Sequence, residues 1–326
     1  MPEHGGNLRE AALRYGRSDW LDLSTGINPA WYPVPALTPD AWHRLPESDP
    51  ALVEAACAFY GAPAMLPVAG TQAAIQALPR LRPASRIVIA APSYAEHAHH
   101  WAQHGHTVRQ VPYADLHASL DGCDVLVVCN PNNPTGDTVP RAQLLDWAGR
   151  LAARGGWLVV DEAFADTGGT HSVVDCAARE GLIVLRSVGK FFGLAGLRLG
   201  FVAAAPGLLA QLAELLGPWT VSGPAQQIAS RALRDRTWQA ATRERLASEG
   251  ERLRALLGAH GIESRGTALF QWWPEPEAEA FHEHMAQRGI WVRLFREAGR
   301  GIRLGLPPDE TGWVRLQQAL TDWSSR

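Results

Sequence analysis

Apolar residues along this chain fall first into short unbroken runs and then into a helical rhythm. "RIVIAA" (86–91), "CDVLVVC" (123–129), "GWLVVD" (156–161), "GLIVLRS" (181–187) and "LGFVAA" (199–204) are nearly continuous in hydrophobicity and are bounded by turn residues. Runs of this length and β-branched content read as strands buried on both faces. Between them the period lengthens. Over 140–154, Leu144, Leu145, Ala148 and Leu151 recur at helical spacing. Strands alternating with helices predict an α/β fold, a mainly parallel central sheet with helices on both faces.

Beyond about residue 220 the rhythm changes. Residues 224–259 read as one long or broken helix, rich in arginine and glutamate. A strand at 268–273, a helix at 276–288 and strands near 290–294 and 301–305 follow, which predicts a smaller α+β unit. The expected organisation is a large α/β domain over 30–220 and a small α+β domain made of 1–29 and 221–326. "WYPVPALTP" (31–39) reads as an irregular connection stiffened by proline.

The 326 residues are enough for two domains with sizeable cores. Apolar residues make up 46%, charged residues 19%, and the net charge is −3, so nothing in the composition favours a nucleic acid or an anionic membrane as partner. Cys57, Cys123, Cys129 and Cys176 show no CxxC spacing and read as reduced thiols of a cytoplasmic protein. The first residues lack the basic-then-apolar order of a secretory signal. No apolar run approaches the ~18–20 residues of a membrane span.

One count changes the picture. Of the 30 lysines and arginines only Lys190 is a lysine, in "RSVGKFFGLAGLRLGF" (186–201). A guanidinium stays protonated, whereas an amine can lose its proton and attack a carbonyl. Other polar groups collect at the ends of the predicted strands, where open α/β sheets bind ligands. They are "AGTQAA" (69–74), "CNPNNPTG" (129–136), "DEAF" (161–164) and "SVGK" (187–190). Each alone has an ordinary reading: a helix cap at Gly70 and Thr71, a turn-rich loop, surface polarity at Ser187 and Arg198. The specific signal is their order, Asn133, Asp161, Lys190, Arg198.

That order resembles the fold-type-I pyridoxal-phosphate enzymes of the class I/II aminotransferase superfamily. The resemblance implies pyridoxal 5'-phosphate as cofactor, carried on Lys190 as a Schiff base. It implies that Asp161 pairs with the pyridinium nitrogen and that Asn133 bonds the ring oxygen O3′. Gly70, Thr71, Ser187 and Arg198 would hold the cofactor phosphate, and Tyr94 of "APSYAEH" would stack on the ring. A carboxylate against the ring nitrogen favours its protonated form, which makes a better electron sink. Two positions depart from the pattern. Phe164 stands where many relatives carry a tyrosine that bonds O3′, and Leu45 where relatives often place a tyrosine that reaches the partner's phosphate. The superfamily builds its site at a dimer interface, so a homodimer is implied.

"HGGN" (4–7), "LDLSTGINP" (21–29), "RLPESDP" (44–50), "DEAF" and "LRSVGKFFGLAGLRLGF" (185–201) are similar to the threonine-phosphate decarboxylase family. That narrower resemblance implies loss of CO₂ from L-threonine O-3-phosphate, giving (R)-1-amino-2-propanol O-2-phosphate in cobalamin biosynthesis. Arg303 in "GIRLGLP" would grip the substrate carboxylate. Asn28 would sit in an N-terminal segment covering the substrate, with Asn133 also touching it. His4 and Arg293 would take the substrate phosphate, with Arg296 and Arg300 as alternatives. A competing reading is an aminotransferase on a phosphorylated substrate, similar to histidinol-phosphate aminotransferase. A third is the effector-binding module of a transcription regulator. It would carry a further N-terminal DNA-binding domain, for which the sequence before the Lys190 unit is expected to leave no room.

"EHAHHWAQHGH" (96–106) holds His97, His99, His100, His104 and His106, and on a helix His100 and His104 share a face. Zinc wants a closed shell of further ligands, and only Glu96 accompanies them locally. The expectation is a solvated helix behind Tyr94 and no metal.

Overall fold

A computed structural model describes residue 2 and residues 4–169, 171–297 and 299–325. The chain forms two compact units. The larger comprises Trp31–Asn133 and Asp137–Ala240, the smaller Met1–Ala30, Pro134–Gly136 and Ala241–Arg326.

The chain opens in the smaller unit with α1 (Leu8–Tyr15) and β1 (Leu21–Asp22). The larger unit begins with the irregular connection, then α2 (Asp40–His43) and α3 (Pro50–Tyr60). After these come β2 (Leu66–Val68), α4 (Thr71–Ala77), β3 (Arg86–Ala90), α5 (Ala95–Gln103) and β4 (Thr107–Val111). They are followed by β5 (Val125–Cys129), α6 (Arg141–Ala152), β6 (Trp157–Asp161), β7 (Leu182–Ser187), β8 (Gly200–Ala203), α7 (Pro206–Leu216) and α8 (Gly223–Arg234). The sheet runs β2-β8-β7-β6-β5-β3-β4. Strands β4, β3, β5, β6 and β7 are parallel, and β8 is antiparallel to both β7 and β2. Ile87, Ile89, Val125, Val127, Val159, Ile183 and Leu185 join Ile75, Leu78 and Trp101 in one buried core.

Two of these strands have no counterpart in the apolar pattern. β4, "TVRQV", is the last strand of the sheet and is exposed at three of its five positions, so it needs no continuous hydrophobic run. β2, "LPV", is short and contains a proline, which strand patterns count against.

The helix expected to be long or broken is broken, into two helices. The Asp235 N–H donates to Arg231 O and Ala232 O, closing α8, and its carboxylate accepts from the Trp238 N–H, opening α9 (Arg236–Ala259). One residue therefore ends one helix and caps the next. The units meet along the chain within α9, at Ala240–Ala241, beyond the expected 220–221. α8 belongs with α2 and α3. A Cβ on Gly223 would come 2.4 Å from Ala41 O, and the Asp49 N–H donates to Gln226 Oε1 at 2.8 Å.

After α9 the smaller unit holds β9 (Arg265–Thr267), β10 (Phe270–Pro274), α10 (Ala278–Gln287), β11 (Ile290–Trp291), β12 (Arg293–Phe295), β13 (Gly301–Gly305) and α11 (Glu310–Ser324). An antiparallel sheet runs β12-β13-β10-β9, and β1 pairs in parallel with β11. The single strand expected at 290–294 is thus split, its first half joining the N-terminal segment and its second the four-stranded sheet.

Candidate active site

The larger unit gathers its polar groups where three neighbouring parallel strands end. β5 ends at Cys129, β6 at Asp161 and β7 at Ser187. These residues line one pocket with Gly70, Thr71, Gln72, Tyr94, Asn133, Phe164, Lys190 and Arg198. All the cofactor residues expected from the sequence are therefore brought together.

Asp161 is 5% exposed and uses both oxygens. Oδ1 accepts from the Ala163 N–H at 3.1 Å, and Oδ2 lies 3.0 Å from His97 Nε2. Burial pulls the His97 imidazole down, but hydrogen bonds to Asp161 and Cys129 outweigh it and raise its pKa to about 10. His97 is therefore a cation near neutral pH and a charged donor to Asp161. The expectation of a solvated histidine helix is corrected here. Glu96, His97 and Trp101 are buried on α5, and so is His106 beyond it. His97, Cys129 and Asp161 have ligand atoms within 4.8 Å of one another. Reading along one helix could not see that carboxylate or thiol, because the sheet supplies both.

The "NPNNPTG" loop sorts its asparagines by what they bond. Asn130 exchanges two hydrogen bonds with the Val139 backbone. Asn132 Nδ2 donates to Pro92 O, and its oxygen accepts from Ser93 Oγ. These two are buried and shape the loop, while Asn133 faces the pocket.

Gly70 is needed for two reasons. Its φ is +72°, and a Cβ there would come 2.6 Å from Arg198 Nη2. The guanidinium thus lies against the turn that opens α4. Arg198 itself adopts a left-handed backbone, φ +54°. Ser187 Oγ accepts from the Gly189 N–H at 3.1 Å. Lys190 Nζ sits 5.4 Å from the centre of the Phe164 ring. Tyr94 donates to Gln72 Oε1 at 3.2 Å, and burial, with Glu96 next, raises its phenol pKa.

The turn, Arg198, Asn133, the amine and the carboxylate are the donor set that a flat, phosphorylated aldehyde with a basic ring nitrogen requires. The residues present fit pyridoxal phosphate.

The smaller unit holds the expected substrate residues other than Asn133, which belongs to the larger unit. Arg303 on β13 faces Arg293 on β12 and Trp272 on β10 directly across the sheet. Its Nη2 donates to Ser24 O at 2.7 Å. Burial first, then Arg293, lowers its pKa to about 9, with Asp22 acting in the opposite direction. That is still well above neutrality, so a buried cation stands beside a second cation, a place an anion relieves. Asn28 is buried, and its Oδ1 accepts from Arg245 Nη2 at 2.7 Å and from the Ala30 N–H at 3.0 Å. The "HGGN" segment crosses Ser24. The Gly6 N–H donates to Ser24 Oγ at 2.7 Å, and a Cβ on Gly5 would lie 2.4 Å from Ser24 O. His4 is exposed. Arg300, an expected alternative, is paired with Glu279 at 2.5 Å.

His97, Gln72 and Cys129 escaped sequence reasoning as site residues. His97 had a usable signal, since it lies in the first turn of the helix that opens directly after Tyr94. The others had none.

The family model for aminotransferase class I and II matches residues 23–323. The chain is 54% identical to the threonine-phosphate decarboxylase of Pseudomonas aeruginosa, covering 98% of this chain and 97% of that one. It is 45% identical to the threonine-phosphate decarboxylase of a Sinorhizobium species, covering 97% of each. Its fold is similar to that of histidinol-phosphate aminotransferase from Sinorhizobium meliloti, solved in complex with pyridoxal-5'-phosphate, with a TM-score of 0.83 at 20% identity over 99% of this chain and 96% of that one.

Proposed function

We propose that this chain, which belongs to the class I and II aminotransferase family, decarboxylates L-threonine O-3-phosphate with pyridoxal phosphate as cofactor. The observation that carries the reading is 54% identity, end to end, with a threonine-phosphate decarboxylase. The product would be (R)-1-amino-2-propanol O-2-phosphate, which suits a place in cobalamin biosynthesis.

In this reading Lys190 holds the cofactor aldehyde, and Asn133 bonds O3′ without help from Phe164, which has no hydroxyl. Gly70, Thr71, Ser187 and Arg198 hold the phosphate, and Tyr94 packs on the ring. The carboxylate of Asp161, steadied by His97, favours a protonated ring nitrogen. Bound pyridoxal phosphate supplies the sink for the electron pair released when the Cα–carboxylate bond breaks. Arg303 anchors that carboxylate, Arg293 with His4 anchors the substrate phosphate, and Asn28 and Asn133 complete the set of substrate contacts. Two anchored ends fix rotation about N–Cα, which selects the bond that breaks. Lys190 Nζ returns a proton to Cα after CO₂ leaves.

Holoenzyme incubated with O-phospho-L-threonine and no keto acid should release CO₂ and aminopropanol phosphate. Consumption of 2-oxoglutarate with formation of glutamate would replace this reading with the aminotransferase one. A homodimer belongs to the same proposal. It is supported by large apolar side chains left exposed on the larger unit, Trp31, Val34, Trp42, Leu45 and Trp219. A cytoplasmic location accords with four free cysteines and with the absence, among the described residues, of any helix long and apolar enough to cross a membrane.

A further inference from the structure

Helix α5 turns an acid from its first turn and a base from its last turn inward beside the pocket. The Glu96 and His100 side chains are 9% and 12% exposed, and Glu96 Oε2 lies 3.0 Å from His100 Nε2. Both meet Gln72 on the first turn of α4. The Gln72 amide nitrogen donates to Glu96 Oε2 at 2.5 Å and lies 3.2 Å from His100 Nε2. At the other end of the same amide, Gln72 Oε1 accepts from Tyr94 at 3.2 Å. Gln72 and Tyr94 both line the pocket.

The direction of every bond follows from which groups can donate. A carboxylate only accepts, so Glu96 fixes the Gln72 amide with its NH₂ toward α5. The amide oxygen then faces Tyr94, and the phenol donates to it. Reversing the amide would set oxygen against oxygen. His100 Nε2 donates to the same Glu96 oxygen, since a carboxylate can only accept, and so holds that carboxylate against Gln72. Tyr94 precedes α5 in an extended conformation, φ −66° and ψ 108°, and its side chain makes no capping bond to the helix. The contact with Gln72 therefore ties its ring to α4.

We propose that Glu96 and His100 are positioning residues that act through Gln72 on Tyr94, fixing the tilt of its ring over the cofactor. This rests on the reading that the pocket holds pyridoxal phosphate against Tyr94. Offset ring packing depends on tilt and distance, so a freed ring lets the cofactor settle in more than one pose.

The visible circular dichroism of bound cofactor reports that pose without turnover. Glu96→Leu keeps the bulk and removes the acceptor. In holoenzyme it should halve the band or more. It should also lower kcat about tenfold, with KM for O-phospho-L-threonine within about twofold, because the arginine anchors are untouched. Tyr94→Phe keeps the ring and removes the donor. Adding Glu96→Leu to Tyr94→Phe should change neither the band nor kcat further, the non-additivity of residues acting in series. Should Glu96→Leu fail to fold, Glu96→Gln serves in the same cycle, with a smaller loss that also vanishes in the Tyr94→Phe background. An unchanged band in the position 96 variant, or its full separate effect on top of Tyr94→Phe, overturns the proposal. A wild-type protein that takes up no coloured cofactor overturns the underlying reading and the proposal with it. A coloured wild type with additive variants overturns only the tie through Gln72.

Discussion

Lys190 Nζ lies over the face of Phe164, and Asp161 is held by His97, so the two groups the proposed chemistry needs most have partners of very different kinds. Borohydride treatment of holoenzyme should fix the cofactor to the Lys190 peptide, and Lys190→Ala should abolish the attachment. Labelling of any other residue would remove Lys190 from the mechanism. For His97 the folded pKa of about 10 stands above an unfolded value of about 6.5. A raised pKa adds stability that is complete below the unfolded value and is lost as pH rises through the folded one. The melting-temperature gap between wild type and His97→Gln should therefore narrow from about pH 6.5 to about pH 10, and a gap independent of pH would show that His97 is neutral. Arg293→Ala should lower kcat/KM on O-phospho-L-threonine by roughly 10- to 150-fold, the loss of one charge-assisted contact. It should also narrow the preference over unphosphorylated threonine. An unchanged preference would move the phosphate anchor to Arg296.

At the scale of elements, the cradle at the start of α4 is built by strand β8 as much as by α4. A Cβ on Gly200 would lie 2.7 Å from the Thr71 N and 3.0 Å from Arg186 O, both backbone atoms that cannot step aside. Gly200→Ala should destabilise the fold by about 1–3 kcal/mol and weaken cofactor binding more than a remote substitution of equal cost. Equilibrium dialysis and thermal melting read the two effects separately. The strands carrying Cys129, Asp161 and Ser187 were legible because a strand buried on both faces shows itself as an apolar run. Strand β4 was not, because an edge strand half open to water has no such run. The break at Asp235 was only half legible. The helical pattern continues through it, and the carboxylate that caps α9 looks like any other surface acid. His97 belongs to the same class. Its helix could be read, but its partner on β6 is 64 residues away and is supplied only by the fold.

On the scale of the whole molecule, five large apolar side chains stand 53–71% exposed on the larger unit. Light scattering should give the mass of two chains, and Trp42→Glu combined with Leu45→Glu should shift the equilibrium toward monomer. A fully active monomeric wild type would refute the dimer. The outline of two units could be read from the change of period near residue 220, but their boundary could not. That boundary depends on α8 packing against α3, a contact between segments far apart in sequence. The single lysine has a final consequence. Because 29 of its 30 lysine and arginine side chains are guanidiniums, the chain offers one side-chain amine, and the fold puts it in the lining of the pocket. An amine-selective acylating reagent is therefore a gauge of occupancy. Cofactor-loaded protein should take up label at its main-chain amino terminus alone, and stripped protein should take up a second equivalent at Lys190. The fraction of filled sites can then be counted by intact mass, with no substrate present.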